Sequence, residues 1–244
     1  MTSSCDNVRR ARPLLGTYVE VAASGANQVR LHAAIDRAFA AIETVHNLMS
    51  FQDPGSELNR LNREGGGREG AGITAGLHPW TALVLAAAAE FRERSQGAFD
   101  AAIGERGRVD LSGIAKGFAV DRAVEALRAA GVGQGIVNAG GDLAVFGDDG
   151  RQVAVRDPTD RSRFAATLTL RNEALASSGR AIDPRTGRLV AAIAGASVGA
   201  PSCMIADALT KVVGVMGEAA LPVLQHYGAS AMLFRPGSTV RLAA

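Results

Sequence analysis

The sequence predicts an α+β fold of mixed, largely antiparallel sheets with packed helices. One long stretch carries apolar residues at helical spacing, several shorter segments alternate apolar and polar residues, and glycine-bearing turns separate neighbouring segments. Hairpins interleaved with helices favour this class over a doubly wound parallel sheet.

Thr17 to Ala23 alternates like a half-buried strand. Beyond Gly25 and Asn27, the residues Leu31, Ile35, Phe39, Ile42 and Val45 form one apolar helical stripe. Glu64 to Gly72 is glycine-rich and charged, and reads as an exposed loop. Pro79 suits the first turn of a helix that runs to about Ser95, ahead of Gly97. Val109 and Leu111 suggest a short strand, followed by a helix from about Ile114 to Ala130 that stops at Gly131. Gly135 to Asn138 and Leu143 to Phe146 read as strands on either side of Gly140-Gly141-Asp142. Asp149-Gly150 predicts a hairpin turn before a strand at Gln152 to Val155, and Phe164 to Leu170 alternates again. A polar loop surrounds Asp183-Pro184-Arg185-Thr186-Gly187. A helix then runs from about Ser202 to Met216, capped by Gly217, and a last hairpin turns at Pro236-Gly237.

Residues 1–244 are enough for a single domain, built as one body or as two intertwined lobes, with residues 1–12 as a flexible N-terminus. The composition is that of a soluble globular protein, with 47% hydrophobic and 20% charged residues. A net charge of only +2 and 5% aromatics argue against nucleic acid as a partner. No apolar run reaches transmembrane length, because Glu90 breaks the run from Leu83 to Ala89. Cys5 and Cys203 are too few and too far apart for a disulfide framework. The chain as written is expected to be cytoplasmic; a periplasmic lipoprotein is the alternative if the start lies elsewhere.

Four segments concentrate Gly, Asp and small polar residues at element junctions: Gly97 to Asp100, Asp110 to Gly117, Asp183 to Gly187 and Ala206 to Thr210. In the second, Ser112 and Gly113 allow close approach to the backbone, a helix begins just beyond, and Lys116 adds a mobile cation. Free N–H groups and the dipole at such a start suit a phosphate, although a tight turn with a solvated Lys116 explains the same residues. Neither a Walker nor a dinucleotide glycine spacing is present. Asp207 and Thr210, three apart on a helix, share one face and offer hard oxygen donors suited to Mg²⁺; taken alone, Asp207 also reads as an early-helix acid. The Asp183 to Gly187 segment is equally well read as a structural turn. His32, His46, His78 and His226 show no ligand spacing, and Cys203 lacks a basic neighbour that would activate it.

Taken in order, eight segments resemble the FAD:protein FMN transferases, the ApbE-type family once described as thiamine-biosynthesis lipoproteins. They are Leu14 to Val21 (LLGTYVEV), Met49 to Asn62 (MSFQDPGSELNRLN), GAFD, VDLSGIAKGFAVD, VNAGGDL, SSG, IDPRTG and ADALTKVV, and they cover nearly the whole chain. The resemblance implies an ApbE-like, T-fold-related architecture. The activity it implies is Mg²⁺-dependent transfer of FMN from FAD onto a Ser or Thr hydroxyl of an acceptor protein, with release of AMP.

Residue by residue, the resemblance assigns FAD contacts to Leu15, Gln52, Ala98, Phe99, Asp100, Asp110, Lys116 and Ile182. It assigns metal ligation to the Gly113 carbonyl, Asp207 and Thr210. Asp207, Lys116 and Arg180 occupy catalytic positions. Three of this chain's residues depart from the family pattern. Gln52 stands where an aromatic is usual, Arg180 where a histidine is usual, and Lys211 where a further metal-ligating threonine is usual. An FAD-binding protein that has lost transfer, and an FAD pyrophosphatase yielding FMN and AMP, are the alternatives.

Overall fold

The structure, a computed structural model, describes residues 6–25, 27–64, 76–103, 108–160 and 162–243. Strands β1 (Asp6–Leu14) and β2 (Thr17–Gly25) form a hairpin that leads into α1 (Gln28–Met49), α2 (Glu57–Arg63) and α3 (Pro79–Arg94). The short strands β3 (Ala102–Ile103) and β4 (Arg108–Val109) pair and precede α4 (Ala115–Ala129). Next come β5 (Gln134–Ala139), β6 (Asp142–Phe146), β7 (Arg151–Arg156), β8 (Phe164–Leu170) and β9 (Glu173–Ser178). A small hairpin of β10 (Ile182–Asp183) and β11 (Arg188–Leu189) is followed by β12 (Gly195–Ala200), α5 (Cys203–Met216), α6 (Leu221–His226), β13 (Ser230–Arg235) and β14 (Ser238–Leu242).

Eight strands make one sheet in the order β1-β2-β5-β6-β9-β12-β13-β14, with every neighbouring pair antiparallel. The predicted α+β class, with its antiparallel sheet and packed helices, is the observed one. The main core lies between this sheet and α1, α4 and α5, and contains Val19, Val21, Val137, Ala176 and Val198 from the strands. Residues of the opposite pleat, such as Leu143, Val145 and Leu175, form a second core with Val153, Val155 and Leu170 of the separate β7–β8 hairpin.

Helix α1 forms where the stripe predicts it. Asn27 caps it by accepting the Arg30 N–H at 3.0 Å, and Ile35, Phe39 and Ile42 are fully buried. Its polar face is tied back to β1. The Arg12 guanidinium bonds Asp36 at 2.9 Å and Glu43 at 3.3 Å while lying 4.5 Å from the Phe39 ring centroid.

Two expectations are corrected. Residues 6–12 are a paired strand rather than a flexible N-terminus, because β1 pairs with β2 from Asp6 opposite Gly25 to Leu14 opposite Thr17, while residues 1–5 lie outside the described residues. Its arginines are engaged by Glu20, Asp36 and Glu43, and Val8 is buried. Nor does Asp149-Gly150 close a hairpin. Both edges of β6 are already taken by β5 and β9, so the chain leaves the main sheet there and β7 pairs with β8. The loop expected from Glu64 to Gly72 lies, from residue 65 onward, outside the described residues.

Candidate active site

The site is organised by the crossing of α4 and α5. Helix α4 is preceded by Ile114, which offers it no side-chain cap. The Asp207 carboxylate of α5 supplies one, accepting the Gly117 N–H at 3.1 Å. In return Asp121 of α4 accepts the Cys203 and Met204 N–H groups at the start of α5, at 2.8 and 2.9 Å. The helices can approach this closely because residue 117 is glycine: a Cβ there would stand 2.2 Å from the Cys203 carbonyl oxygen. Burial raises the Asp121 pKa to about 6, against the pull of those two hydrogen bonds. Burial also pushes the Cys203 thiol well above its usual range, which fits the expectation that it is no nucleophile.

Asp207 and Thr210 are each only 1% exposed, and the residue that meets them is Lys211. Its ammonium donates to Asp207 Oδ1 at 3.0 Å and to Thr210 Oγ1 at 2.9 Å. The Thr210 hydroxyl in turn donates to the Asp207 carbonyl at 2.7 Å. The Lys211 stem passes Gly113, where a Cβ would stand 3.6 Å from Lys211 Cγ and 3.7 Å from its Cε. So the structure brings Asp207 and Thr210 together around an ammonium, with Gly113 beside the stem that carries it.

Oxygen donors of this kind suit Mg²⁺, yet the set does not fit a metal while Lys211 holds it. A divalent ion about 4 Å from the ammonium would meet repulsion on the order of 8 kcal/mol at an effective dielectric constant near 20.

Lys116, on the first turn of α4, pairs with Asp142, which is buried at the start of β6. The sharp loop at Gly140 and Gly141, both with positive φ, joins β5 to β6 and delivers Asp142 to this position. The other Asp142 oxygen accepts the Ser177 N–H at 3.2 Å. Burial lowers the Lys116 pKa, the Asp207 carboxylate opposes that shift, and the Lys211 ammonium reinforces it. Two ammonium groups and two buried carboxylates thus share the head of α4. Asp142 was not singled out as a site residue, since it is 26 positions from its partner and no local pattern links them.

Beside this cluster lies a cavity of about 350 Å³ that brings together Leu15, Gln52, Asp110 and Lys116, with Met49 and Phe51 on its walls. Leu15 is one of the few non-glycine residues with positive φ (56°) and shares the tight β1–β2 turn with Gly16. Gln52 is exposed. The aromatic in this wall is its neighbour Phe51, whose ring lies 4.7 Å from the Arg108 guanidinium carbon. Asp110 accepts the Ser112 N–H at 2.8 Å and so shapes the turn before α4.

Other expected residues lie outside that cavity. Ala98 and Phe99 are buried, and the Phe99 ring belongs to the core, 5.7 Å from Phe91. Asp100 faces a second cleft of about 360 Å³ shared with Gly97, Pro184 and Arg185, and it is paired with Arg92 at 2.9 Å. Asp183 and Arg185 form an ion pair at 2.8 Å that holds the β10–β11 turn, and Pro184 and Arg185 also line that cleft. Arg180 is exposed and Ile182 is 62% exposed. Between them, Ala181 packs on α5 so closely that a Cβ at Gly214 would stand 2.9 Å from its methyl, one turn beyond Thr210 and Lys211. A larger cavity of about 740 Å³, between β8 and the sheet strands β9, β12 and β13, contains none of the expected site residues.

The sequence matches the model of the ApbE family over residues 15–107 and 104–234. The chain belongs to the ApbE family. It is 33% identical over 144 residues to the FAD:protein FMN transferase of Rhodobacter capsulatus, and 35% identical over 131 residues to that of Haemophilus influenzae. These alignments cover 52% and 45% of this chain but only 28% and 38% of those proteins, so it aligns with well under half the length of either. Among solved structures, the flavin transferase ApbE of Vibrio cholerae matches with a TM-score of 0.81 at 21% identity, over 98% of this chain and 97% of that one. The ApbE protein of Thermotoga maritima matches with a TM-score of 0.82 at 20% identity, over 97% of both chains. At such identities the structural matches establish the ApbE fold.

Proposed function

We propose that this chain transfers the FMN half of FAD to a Ser or Thr hydroxyl of an acceptor protein, releasing AMP. The observation that carries the reading is the cavity lined by Leu15, Gln52, Asp110 and Lys116, set against the head of α4 in a chain of the ApbE family. In the reaction the acceptor hydroxyl oxygen bonds to the FMN phosphorus as the bond to the bridging oxygen breaks. AMP departs with that oxygen and its electron pair, and the hydroxyl proton balances its new charge. Such transfer depends mainly on positioning and charge neutralisation. Lys116 is the residue of this cavity best placed to steady the pyrophosphate, and the buried Asp142 fixes where its ammonium sits.

Asp207 is poorly suited to take the proton, because its two oxygens already receive the Gly117 N–H and the Lys211 ammonium. Arg180 is exposed, and a guanidinium has donors but no acceptor for a proton. No step is assigned to Mg²⁺ at Gly113, Asp207 and Thr210, since Lys211 engages two of these donors. That same engagement favours a second reading, an FAD-binding protein without transfer.

Intact-mass spectrometry of an acceptor protein incubated with FAD and this chain separates the two. The transferase reading expects a gain of one FMN phosphodiester, lost when the acceptor Ser or Thr is changed to Ala. An unmodified acceptor beside bound, intact FAD would replace it with the binding-protein reading.

A further inference from the structure

We infer that Lys211 is a resident cation that takes the place of a divalent metal in this chain, so that pyrophosphate binding at the head of α4 does not require one. The inference rests on the FAD-site reading above for its ligand, but its structural basis is independent of it. Lys211 follows Asp207 by one helical turn, the spacing at which an acid and a base on one helix face meet. Its ammonium is bonded to Asp207 and Thr210, the two side chains that would otherwise ligate a metal, and its stem runs along Gly113, the third.

The pair is well defined in space. Asp207 and Thr210 are buried, Asp207 is anchored by the Gly117 N–H, and the Lys211 side chain is 32% exposed. An ammonium with three donors can keep both bonds and still direct a third N–H outward, toward an anionic oxygen. Lys116 stands on the adjoining turn of α4, close enough for the two ammonium groups to repel. With Asp142 and Asp207 balancing them, the four charges sum to zero before a ligand arrives. A pyrophosphate then meets two fixed cations with no metal to recruit. Replacing Lys211 with threonine, the residue usual in the family, removes the resident charge and reopens the oxygen donors.

The test uses the purified chain and Mn²⁺ alone, read by electron paramagnetic resonance, followed by FAD titration in EDTA and in Mg²⁺. The wild type is expected to bind no Mn²⁺ at this site, whereas Lys211→Thr gains one site that the added change Asp207→Asn removes. FAD affinity of the wild type should agree between EDTA and Mg²⁺ within about twofold, while Lys211→Thr should bind at least about tenfold more tightly with Mg²⁺. One equivalent of Mn²⁺ on the wild type, abolished by Asp207→Asn, would overturn the inference even if Lys211→Thr failed to fold. Absence of FAD binding in every condition would count against the FAD-site reading instead, and the Mn²⁺ result would still decide the role of Lys211.

Discussion

Asp121 and Asp207 each cap the helix that carries the other. Asp121 rises from α4 to hold the first N–H groups of α5, and Asp207 rises from α5 to hold the Gly117 N–H of α4. This exchange places Asp207 and Lys211 at the head of α4, beside Lys116. It also makes the two acids differ in purpose: one fixes the crossing, and the other joins the crossing to the site.

The pH dependence of stability should report on Asp121. Its folded pKa of about 6 lies above the ordinary 3.8, so the folded state binds the proton more tightly than the unfolded chain. The stabilisation from this group is therefore fully present below about pH 4 and is lost as pH rises through 6. Asp121→Asn removes that dependence. Chemical denaturation at pH 4.5 and 7.5 should find the wild type losing ground to the variant at the higher pH, by about 2 kcal/mol.

Gly117→Ala should be severe for a surface-to-surface reason. The new Cβ would fall inside the Cys203 carbonyl, so α4 and α5 must separate and the Asp207 cap must lengthen. A loss of about 3 kcal/mol is expected in urea titration, the upper part of the range for overpacking. An unchanged midpoint would contradict the tight crossing.

Lys116 and Asp142 should separate binding from positioning. Lys116→Met removes the cation and is expected to weaken FAD binding by about tenfold. Asp142→Asn keeps an acceptor for the Ser177 N–H and keeps the Lys116 cation, but no longer fixes its position, so its loss of affinity should be the smaller one. Fluorescence titration of FAD against the two variants makes the comparison.

Phe51, rather than Gln52, should supply the aromatic surface of the cavity. Phe51→Ala is expected to lower FAD affinity by about tenfold, the worth of one good aromatic contact, and Gln52→Ala to change it less than about twofold. A dominant effect at Gln52 would show that the ligand lies toward the exposed side chain.

What the sequence made legible follows from where its signals are local. The α1 stripe, the Gly217 stop of α5 and the Pro236-Gly237 hairpin are short-range patterns, and all three stand in the structure. Strands β9 and β12 escaped notice although they lie in the middle of the sheet. Their sequences, EALASS and GASVGA, are rich in Ala, Ser and Gly because α5 packs directly on them and leaves room only for small side chains. A Cβ at Gly195 would stand 2.6 Å from the Ser178 carbonyl oxygen. The Asp149-Gly150 turn misled for the opposite reason: local turn chemistry is sound there, but β6 had no free edge to accept a partner.

The site was legible as a set of motifs and not as an arrangement. Lys211 stood out as a departure from the family pattern, and its spacing from Asp207 is local, so their contact was within reach of the sequence. The Lys116–Asp142 pair and the mutual capping of α4 and α5 join segments far apart in the chain, which only the fold brings together.

The most direct test of the proposed function is one reaction containing the chain, FAD and an acceptor protein, with AMP, free FMN and acceptor-bound flavin all quantified by chromatography. AMP and acceptor-bound flavin should appear in equal amounts with no free FMN. AMP matched by free FMN, or FAD that stays intact throughout, would rule out transfer to a protein.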